Sequence, residues 1–466
     1  MTEAAVAERY QLLAVAGGKG GKTLAMDMAR SGWRVAIVEH VPEMVGGTCI
    51  NLACIPTKTL IRSAEVAELV RRARTFGVGG SLGALDAAPL RASKDAVLHA
   101  MREMNLDQLG ASGVELVLGR ARFVAPRRVA VTGDSGTRLL EGEKVVINLA
   151  SRPAIPAIPG LAEAEPLTSE TLLRLERIPS RLVVLGGGYV GLELAQAMRR
   201  LGSSVTVVER GPQLLSREDA DVAVAVADIP RDDGIDIRLR AETRNVARLV
   251  DGSVRVELAT ADGGDEVVAD DLLAALGRVP GSDGVGLDAA GIDLDERGFV
   301  RVDERLRTTA ENTFAVGDIT GGPQFTHVSL DDYRIVKANL DGCGRTTTDR
   351  LIPYTIFLDP ELGRVGLTER EARRRGYDVR VAKLPAIAVP RARTLRATRG
   401  LLKAVVERGS ERILGAAILA ANGGEVAAVI QAAMLGNLPA PALRDAILAH
   451  PTMAEGLNAL FASWVD

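Results

Sequence analysis

"RLVVLGGGYVGLELAQAMRRLGSSVTVVER", residues 181–210, decides how this chain folds. It reads as strand, glycine turn, helix, strand. Gly186, Gly188 and Gly191 punctuate the turn, and Glu209 closes the second strand 18 positions after Gly191 (209 − 191). This is the βαβ unit that holds a dinucleotide. Backbone N–H groups at the helix start face the pyrophosphate, and the acid accepts hydrogen bonds from a ribose hydroxyl. A carboxylate at that strand end repels a 2′-phosphate, which favours NADH over NADPH, although Arg210 stands beside it.

Toward the N-terminus the plan recurs in "YQLLAVAGGKGGKTLAMDMARSGWRVAIVEH", residues 10–40. The apolar run Leu12–Ala16 is expected to be a buried parallel strand. Leu24, Met28 and Ala29 fall on one side of the helix that follows, and Val35–Val38 forms a second strand ending in Glu39. Gly18 and Gly21 belong to the turn, and Glu39 again lies 18 positions past the last glycine (39 − 21). The same letters admit a rival. "AGGKGGKT" loosely fits a phosphate loop, in which Lys22 and Thr23 would hold nucleotide phosphates and magnesium. The acid closing the next strand favours the dinucleotide fold, and so does the second copy in the same register. Two such units make this an α/β chain with two Rossmann-like dinucleotide-binding domains.

The totals bound the rest. A chain of 466 residues implies roughly three domains at about 100–200 residues each. Hydrophobic residues make up 47% but aromatics only 3%, so the cores must be built from Ala, Val, Leu and Ile. A formal net charge of -3 offers no basic field to nucleic acid or an acidic membrane. No run approaches the roughly 18 apolar residues that cross a bilayer. The N-terminal "MTEAAVAERYQLLAVAGG" starts acidic and halts at glycines, unlike a signal peptide, so a cytoplasmic location is expected.

Three cysteines make no disulfide framework, yet Cys49 and Cys54 stand close together in "GGTCINLACIPTKTL", residues 46–60. Zinc would need four ligands. The remaining sulfur, Cys343, and the four histidines (His40, His99, His327, His450) are scattered without ligand spacing, so no metal site is expected. Two readings remain for the pair: inert buried thiols or a redox couple. The stretch follows the first βαβ unit directly, which places both sulfurs near whatever dinucleotide binds there. After Cys54 the pattern is helical, with Pro56 suited to a first turn. A cysteine at a helix start has a lowered pKa and persists as reactive thiolate. Lys58, four residues on, would stabilise a thiolate or a reduced flavin, unless it is simply a solvated surface lysine.

At these residues the sequence resembles the flavin-dependent pyridine nucleotide–disulfide oxidoreductases, the group of glutathione reductase, dihydrolipoamide dehydrogenase and mercuric reductase. "GGTCINLACIPTK" is similar to their redox-disulfide motif, and the likeness runs the whole chain through "NTFAVGD" (312–318), "ALGRVPG" (275–281) and "HPTMAEGLNALF" (450–461). The stretches "TGGPQFTHVSLDDYRIV" (320–336) and "PRART" (390–394) narrow it to the bacterial reactive-chlorine-resistance flavoproteins.

The resemblance implies FAD at the first turn, held by Gly18, Gly21, Glu39, Gly47, Thr48, Lys58, Ala121, Asp318 and Gly277. It implies NADH at the second, held by Gly186, Gly188, Val190, Gly191 and Glu209. Cys54 would face the flavin as thiolate, and Cys49 would attack substrate. His450, oriented by Glu455, would be the general acid–base group reaching over from a second subunit. Read without the family, His450 before a proline is equally a helix-capping residue. Glu193 would pair with Lys58. The sequence also departs from the family. Ala16 replaces the first fingerprint glycine, Ala53 the glycine before the second cysteine, and Leu149-Ala150 the Thr-Gly flavin contact. Pro230 in "VADIPRDDG" is expected to break the helix after Glu209, and His327 stands where close relatives would carry an aromatic.

The implied architecture is a discontinuous FAD domain (1–150 and 274–344), an inserted NAD(H)-binding domain (151–273) and an α+β dimerisation domain (345–466). In the last, "LLKAVVERGSERILGAAIL" should form an antiparallel hairpin. The implied function is NADH-dependent reduction, through FAD and a Cys49–Cys54 disulfide, of a hypothiocyanous- or hypochlorous-type oxidant or Cu(II), by a homodimer. The alternatives are dihydrolipoamide dehydrogenase or another thiol–disulfide reductase, and an ATP-binding protein built on "GGKGGKT". Mercuric reductase is disfavoured because "ALFASWVD" lacks a cysteine pair, and glutathione reductase because Glu209 argues against NADPH.

Overall fold

The computed structural model describes residues 6–465, so the first five residues of the N-terminal stretch lie outside it. The chain divides into two compact units. One gathers the residues up to Thr59 with Arg91–Ala154 and Gly277–Arg350. The other gathers Leu60–Leu90, Ile155–Leu276 and the chain from Leu351 onward. The second nucleotide segment and the C-terminal segment therefore share a unit, and residues 60–90 go with them.

The first unit is built on a seven-stranded sheet. Glu115–Leu118, Val35–Glu39, Glu8–Val15, the end of Gly136–Ile147 and Thr313–Ala315 run parallel in that order. The early half of Gly136–Ile147 turns antiparallel to Arg128–Gly133, which pairs with Arg120–Ala125. One long strand thus serves both a Rossmann-like layer and a meander. Leu12, Leu13, Ala14 and Val15 are all buried, as a parallel strand covered on both faces requires.

The second unit carries a four-stranded parallel sheet in the order Asp236–Leu239, Ser204–Glu209, Arg181–Leu185, Asp271–Ala274. A three-stranded antiparallel sheet, Glu242–Arg248, Val254–Thr260 and Gly263–Ala269, belongs to the same unit. So does a six-stranded antiparallel sheet, whose centre is the expected hairpin of Leu401–Glu407 and Ile413–Ala420. All eight residues of Ile413–Ala420 are buried, and helix Gly423–Leu435 packs on them. The fold is therefore two Rossmann-like domains followed by an α+β C-terminal domain. Among the described residues no helix is long and apolar enough to cross a membrane.

The expected break at Pro230 does not occur. Helix Ala220–Asp232 runs through the proline, which is buried. Pro230 forfeits only its own N–H bond to the preceding turn, and its carbonyl still accepts from Ile235.

Candidate functional site

Both glycine turns are locked by the same hydrogen bond. Gly17 N–H donates to Glu39 Oε2 and Gly187 N–H to Glu209 Oε2, each at 2.8 Å and each across 22 residues. The second oxygen of each acid accepts from the following loop, at His40 N and Gly211 N, both at 2.7 Å. Burial pushes the Glu39 carboxyl above its ordinary value, and the two N–H donors work against that. Each acid thus braces its turn at the end of the strand where a ribose would lie.

The helices that follow, Lys19–Arg30 and Tyr189–Leu201, begin at Gly18 and Gly188 with no side-chain cap. In the first, Ser329 Oγ accepts from Gly20 N–H (3.1 Å) and Asn148 Oδ1 from Gly21 N–H (2.8 Å). Among the described residues Gly18 and Lys19 N–H have no protein partner, so the positive helix end can still receive an anion. In the second, a methyl on Gly191 would come 2.2 Å from Gly186 O, whereas one on Gly188 would meet nothing within 4 Å. Close packing at one glycine and open space at the other fit a pyrophosphate cradle. Val190 packs against the hydrophobic core, half-buried.

Ala16 holds φ +72°, the left-handed conformation its counterpart Gly186 takes at φ +109°. The methyl does not change the turn. It adds a strain of roughly 1–2 kcal/mol. Ala53 has an ordinary negative φ, and its N–H donates to Thr48 O at 2.9 Å.

The phosphate-loop reading fails on geometry. Lys22 is 3% exposed with its ammonium on Asn105 Oδ1, and Thr23 Oγ donates to Lys19 O at 2.6 Å. Neither side chain is presented to ligate a nucleotide's phosphate or magnesium directly.

The sulfur loop packs directly on the first turn. Gly46 N–H donates to Gly17 O at 2.9 Å, and a methyl on Gly47 (φ +79°) would sit 2.8 Å from Gly18 Cα. Thr48 begins the short helix Thr48–Asn51 that carries Cys49, and Cys54 begins the long helix Cys54–Arg71 that carries Lys58. Asn51 Nδ2 donates to Gly47 O (2.9 Å), and Arg102 Nε donates to Asn51 Oδ1 (2.7 Å), fixing the loop from behind. Both cysteines are half-buried free thiols. The Cys49 thiol is pushed up first by its hydrogen bond to Cys54 and then by burial, while Thr326 and the Lys58 charge pull it down. Thr326 Oγ lies 3.7 Å from Cys54 Sγ.

Sequence reasoning missed the helix Thr326–Leu340 as a supplier of site contacts. Besides Thr326 and Ser329, its Asp332 accepts from Gly317 N–H (2.7 Å) and from Arg350 (2.7 Å). Its Tyr333 donates to Asp27 at 2.9 Å. The signal was present: Thr326, Ser329 and Tyr333 recur at i, i+3 and i+7, a polar stripe on one helix face. Asp318, at the turn beside it, accepts from Ser151 Oγ (2.6 Å), whose oxygen accepts from Arg278 Nε (2.7 Å). Gly277 is exposed at φ +118° just ahead of Arg278. Ala121 lies in strand Arg120–Ala125 opposite Val131, two residues past Gly119, whose N–H donates to Glu39 O. His327 is exposed and stacks on Phe325 with ring centroids 5.3 Å apart.

In the second unit, Glu193 is buried and accepts from Phe357 N–H at 2.9 Å. His450 Nδ1 and Glu455 Oε2 are 2.8 Å apart, with the imidazole 68% exposed. His450 is not the cap of the next helix, Gly456–Leu460, whose N-cap is Glu455. Arg210 and Cys343 are exposed.

Known proteins resemble this chain along nearly its whole length. The profile of the family described as "Pyridine nucleotide-disulphide oxidoreductase" matches residues 10–332, and that of the family's dimerisation domain matches 352–460. The chain is 40% identical to the probable pyridine nucleotide-disulfide oxidoreductase RclA of Escherichia coli K12, covering 97% of this chain and 99% of that one. It is 34% identical to a mercuric reductase of Staphylococcus aureus (96% and 81%) and 35% identical to a dihydrolipoyl dehydrogenase of Thermus scotoductus (96% and 96%). The structure titled "HOCl-induced flavoprotein disulfide reductase RclA from Escherichia coli" matches with TM-score 0.88 and 40% identity over 97% of this chain and 99% of that one. A Cu(II) complex of the same protein matches with TM-score 0.89, at 39% identity over 98% and 99%. The family uses FAD and a nicotinamide dinucleotide. Paired dinucleotide turns, a thiol couple on the first of them and matching profiles along nearly the whole length make this chain a member of the pyridine nucleotide–disulphide oxidoreductase family.

Proposed function

We propose that this enzyme is an NADH-dependent flavoprotein reductase whose Cys49–Cys54 pair reduces a hypothiocyanous- or hypochlorous-type oxidant or Cu(II), as a cytoplasmic homodimer in the oxidative-stress response. The observation that carries the reading is the seat of the two thiols, against the first dinucleotide turn and within reach of Thr326. FAD, when bound, supplies two-electron transfer between the nicotinamide and the cysteine pair.

The residues divide the remaining work. Gly18 and Lys19 N–H would hold the flavin pyrophosphate, Glu39 its ribose, and Asp318 its sugar chain. Gly188 and Glu209 would do the same for NADH. Glu209 places a carboxylate, already held by two N–H groups, where the extra phosphate of NADPH would go. Because the Cys54 sulfur and burial hold the proton on Cys49, Cys49 needs a base before it can attack, and Cys54 would be the sulfur facing the flavin.

Oxidant reduction then balances in two steps. The Cys49 thiolate attacks the electrophilic chlorine or sulfur, forming a sulfenyl chloride or thiocyanate and releasing hydroxide. The Cys54 thiolate displaces chloride or thiocyanate, forming the Cys49–Cys54 disulfide. His450 of the partner subunit would take the Cys49 proton and protonate the departing hydroxide. Lys58 would favour the thiolates by its charge.

The test is steady-state NADH and NADPH consumption against hypothiocyanite, N-chloramines, Cu(II), lipoamide and oxidised glutathione, with Cys49→Ser alongside. Turnover should be fastest with NADH and hypothiocyanite or Cu(II), and at least about 10³-fold slower in Cys49→Ser. Fast oxidation of reduced lipoamide by NAD would favour the dihydrolipoamide dehydrogenase reading, which the Thermus relative supports.

A further inference from the structure

Lys22, which the phosphate-loop reading singled out and the proposed mechanism leaves unused, is a buried ammonium with a neutral partner. It is 3% exposed and donates to Asn105 Oδ1, while Asn105 Nδ2 is spent on Met101 O at 2.7 Å. Among the described residues no carboxylate pairs with it, and the charge it feels is a second cation, Lys19. Burial draws its pKa down to about 8. A cation in this position costs stability unless an anion comes to meet it.

The surroundings say which anion. Lys22 sits on the first turn of helix Lys19–Arg30, just past Gly18 and Lys19, whose N–H groups have no protein partner. The oxygen that holds its ammonium lies 3.5 Å from where a methyl on Gly46 would be, and Gly46–Gly47 is the pair that packs on Gly17–Gly18. The positive charge therefore stands directly behind the turn that would receive a pyrophosphate. The second fingerprint is an internal control. Its residue after the last glycine is Leu192, fully buried, so the fold packs an apolar side chain at this register without difficulty. The two turns also differ at their first position, Ala16 against Gly186.

We infer that Lys22 is a buried counter-charge for the pyrophosphate of the flavin dinucleotide. The inference rests on the reading that FAD occupies the first turn. Its test is FAD titration of the flavin-stripped full-length chain, wild type against Lys22→Met and Lys22→Leu, with thermal melting of each stripped protein. Both variants should bind FAD at least about tenfold more weakly, while the stripped variants melt no lower than wild type, since each loses an uncompensated charge. A merely structural lysine would lower the melting temperature together with the affinity, and that result overturns the inference. So does unchanged FAD affinity. Wild-type protein that takes up no FAD would instead sink the flavin reading itself.

Discussion

Thr326 places one hydroxyl beside the thiol pair. Its hydroxyl lies 3.7 Å from Cys54 Sγ and pulls the Cys49 pKa down against the Cys54 hydrogen bond, burial and the Cys54 charge, which all raise it. Removing it in Thr326→Val should raise the Cys49 pKa further. The reaction of reduced enzyme with oxidant would then need a higher pH, with its rate–pH profile moved to the alkaline side by about 0.7 unit, the worth of one hydrogen bond of roughly 1 kcal/mol. Stopped-flow rates from pH 6 to 10 check this, and an unmoved profile would remove Thr326 from the site. At this scale the sequence was legible where a residue has an invariable task. Glycines at Gly188 and Gly191, acids at Glu39 and Glu209, and sulfurs beside the first turn could all be read. Thr326, Ser329 and Asn148 could not, because their work is done on backbone groups far along the chain, with Ser329 and Gly20 separated by 309 residues.

Elements carry the second level of information. Helix Ala220–Asp232 shows why a proline reads ambiguously from sequence. Its cost falls on the turn before it, where one N–H bond is lost and a carbonyl is crowded, and this helix absorbs that without breaking. The same helix anchors a buried ion cluster. Lys403, 2% exposed on strand Leu401–Glu407, pairs with Asp219 (3.0 Å), Asp221 (2.9 Å) and Glu369 (2.9 Å). Burial alone would raise these three carboxyls, yet all three are held below their ordinary values: Asp219 by the Arg370 and Glu369 N–H groups and Lys403, Asp221 by Lys383 and Lys403, and Glu369 by Lys403 and Arg373. Burial likewise opposes the Lys403 charge, and its three partners raise its pKa overall. Lys403→Met should destabilise the second unit by about 1–3 kcal/mol in urea unfolding at pH 7, since Asp219 loses its lysine while Lys383 still pairs with Asp221 and Arg373 with Glu369. The sign of the pH dependence follows. A lowered acid pKa contributes stability above the ordinary value, and that contribution disappears as pH falls through the folded-state value. The gap between wild type and variant should therefore close below about pH 4. A gap that stays constant with pH would mean the cluster is not ionic.

At the scale of the whole molecule, duplication is the organising fact. Two Rossmann-like layers with matching acid-to-glycine bonds, plus a C-terminal antiparallel sheet, were foreseeable from two glycine fingerprints and one hairpin pattern. The grouping of residues 60–90 with the second unit was not, because helix packing leaves only a weak trace in local periodicity. The matched profiles fix the family, and the cysteine pair beside the first layer gives the proposed chemistry its place. That chemistry requires Cys49 and Cys54 to cycle between dithiol and disulfide at the expense of NADH. The direct measurement is a thiol count on the Cys343→Ser variant, reconstituted with FAD and treated anaerobically with one equivalent of hypothiocyanite, then with NADH. Both remaining thiols should vanish into an intramolecular disulfide and return as one equivalent of NADH is consumed. Thiols that survive the oxidant, or that NADH fails to restore, would contradict a sulfur relay in this enzyme.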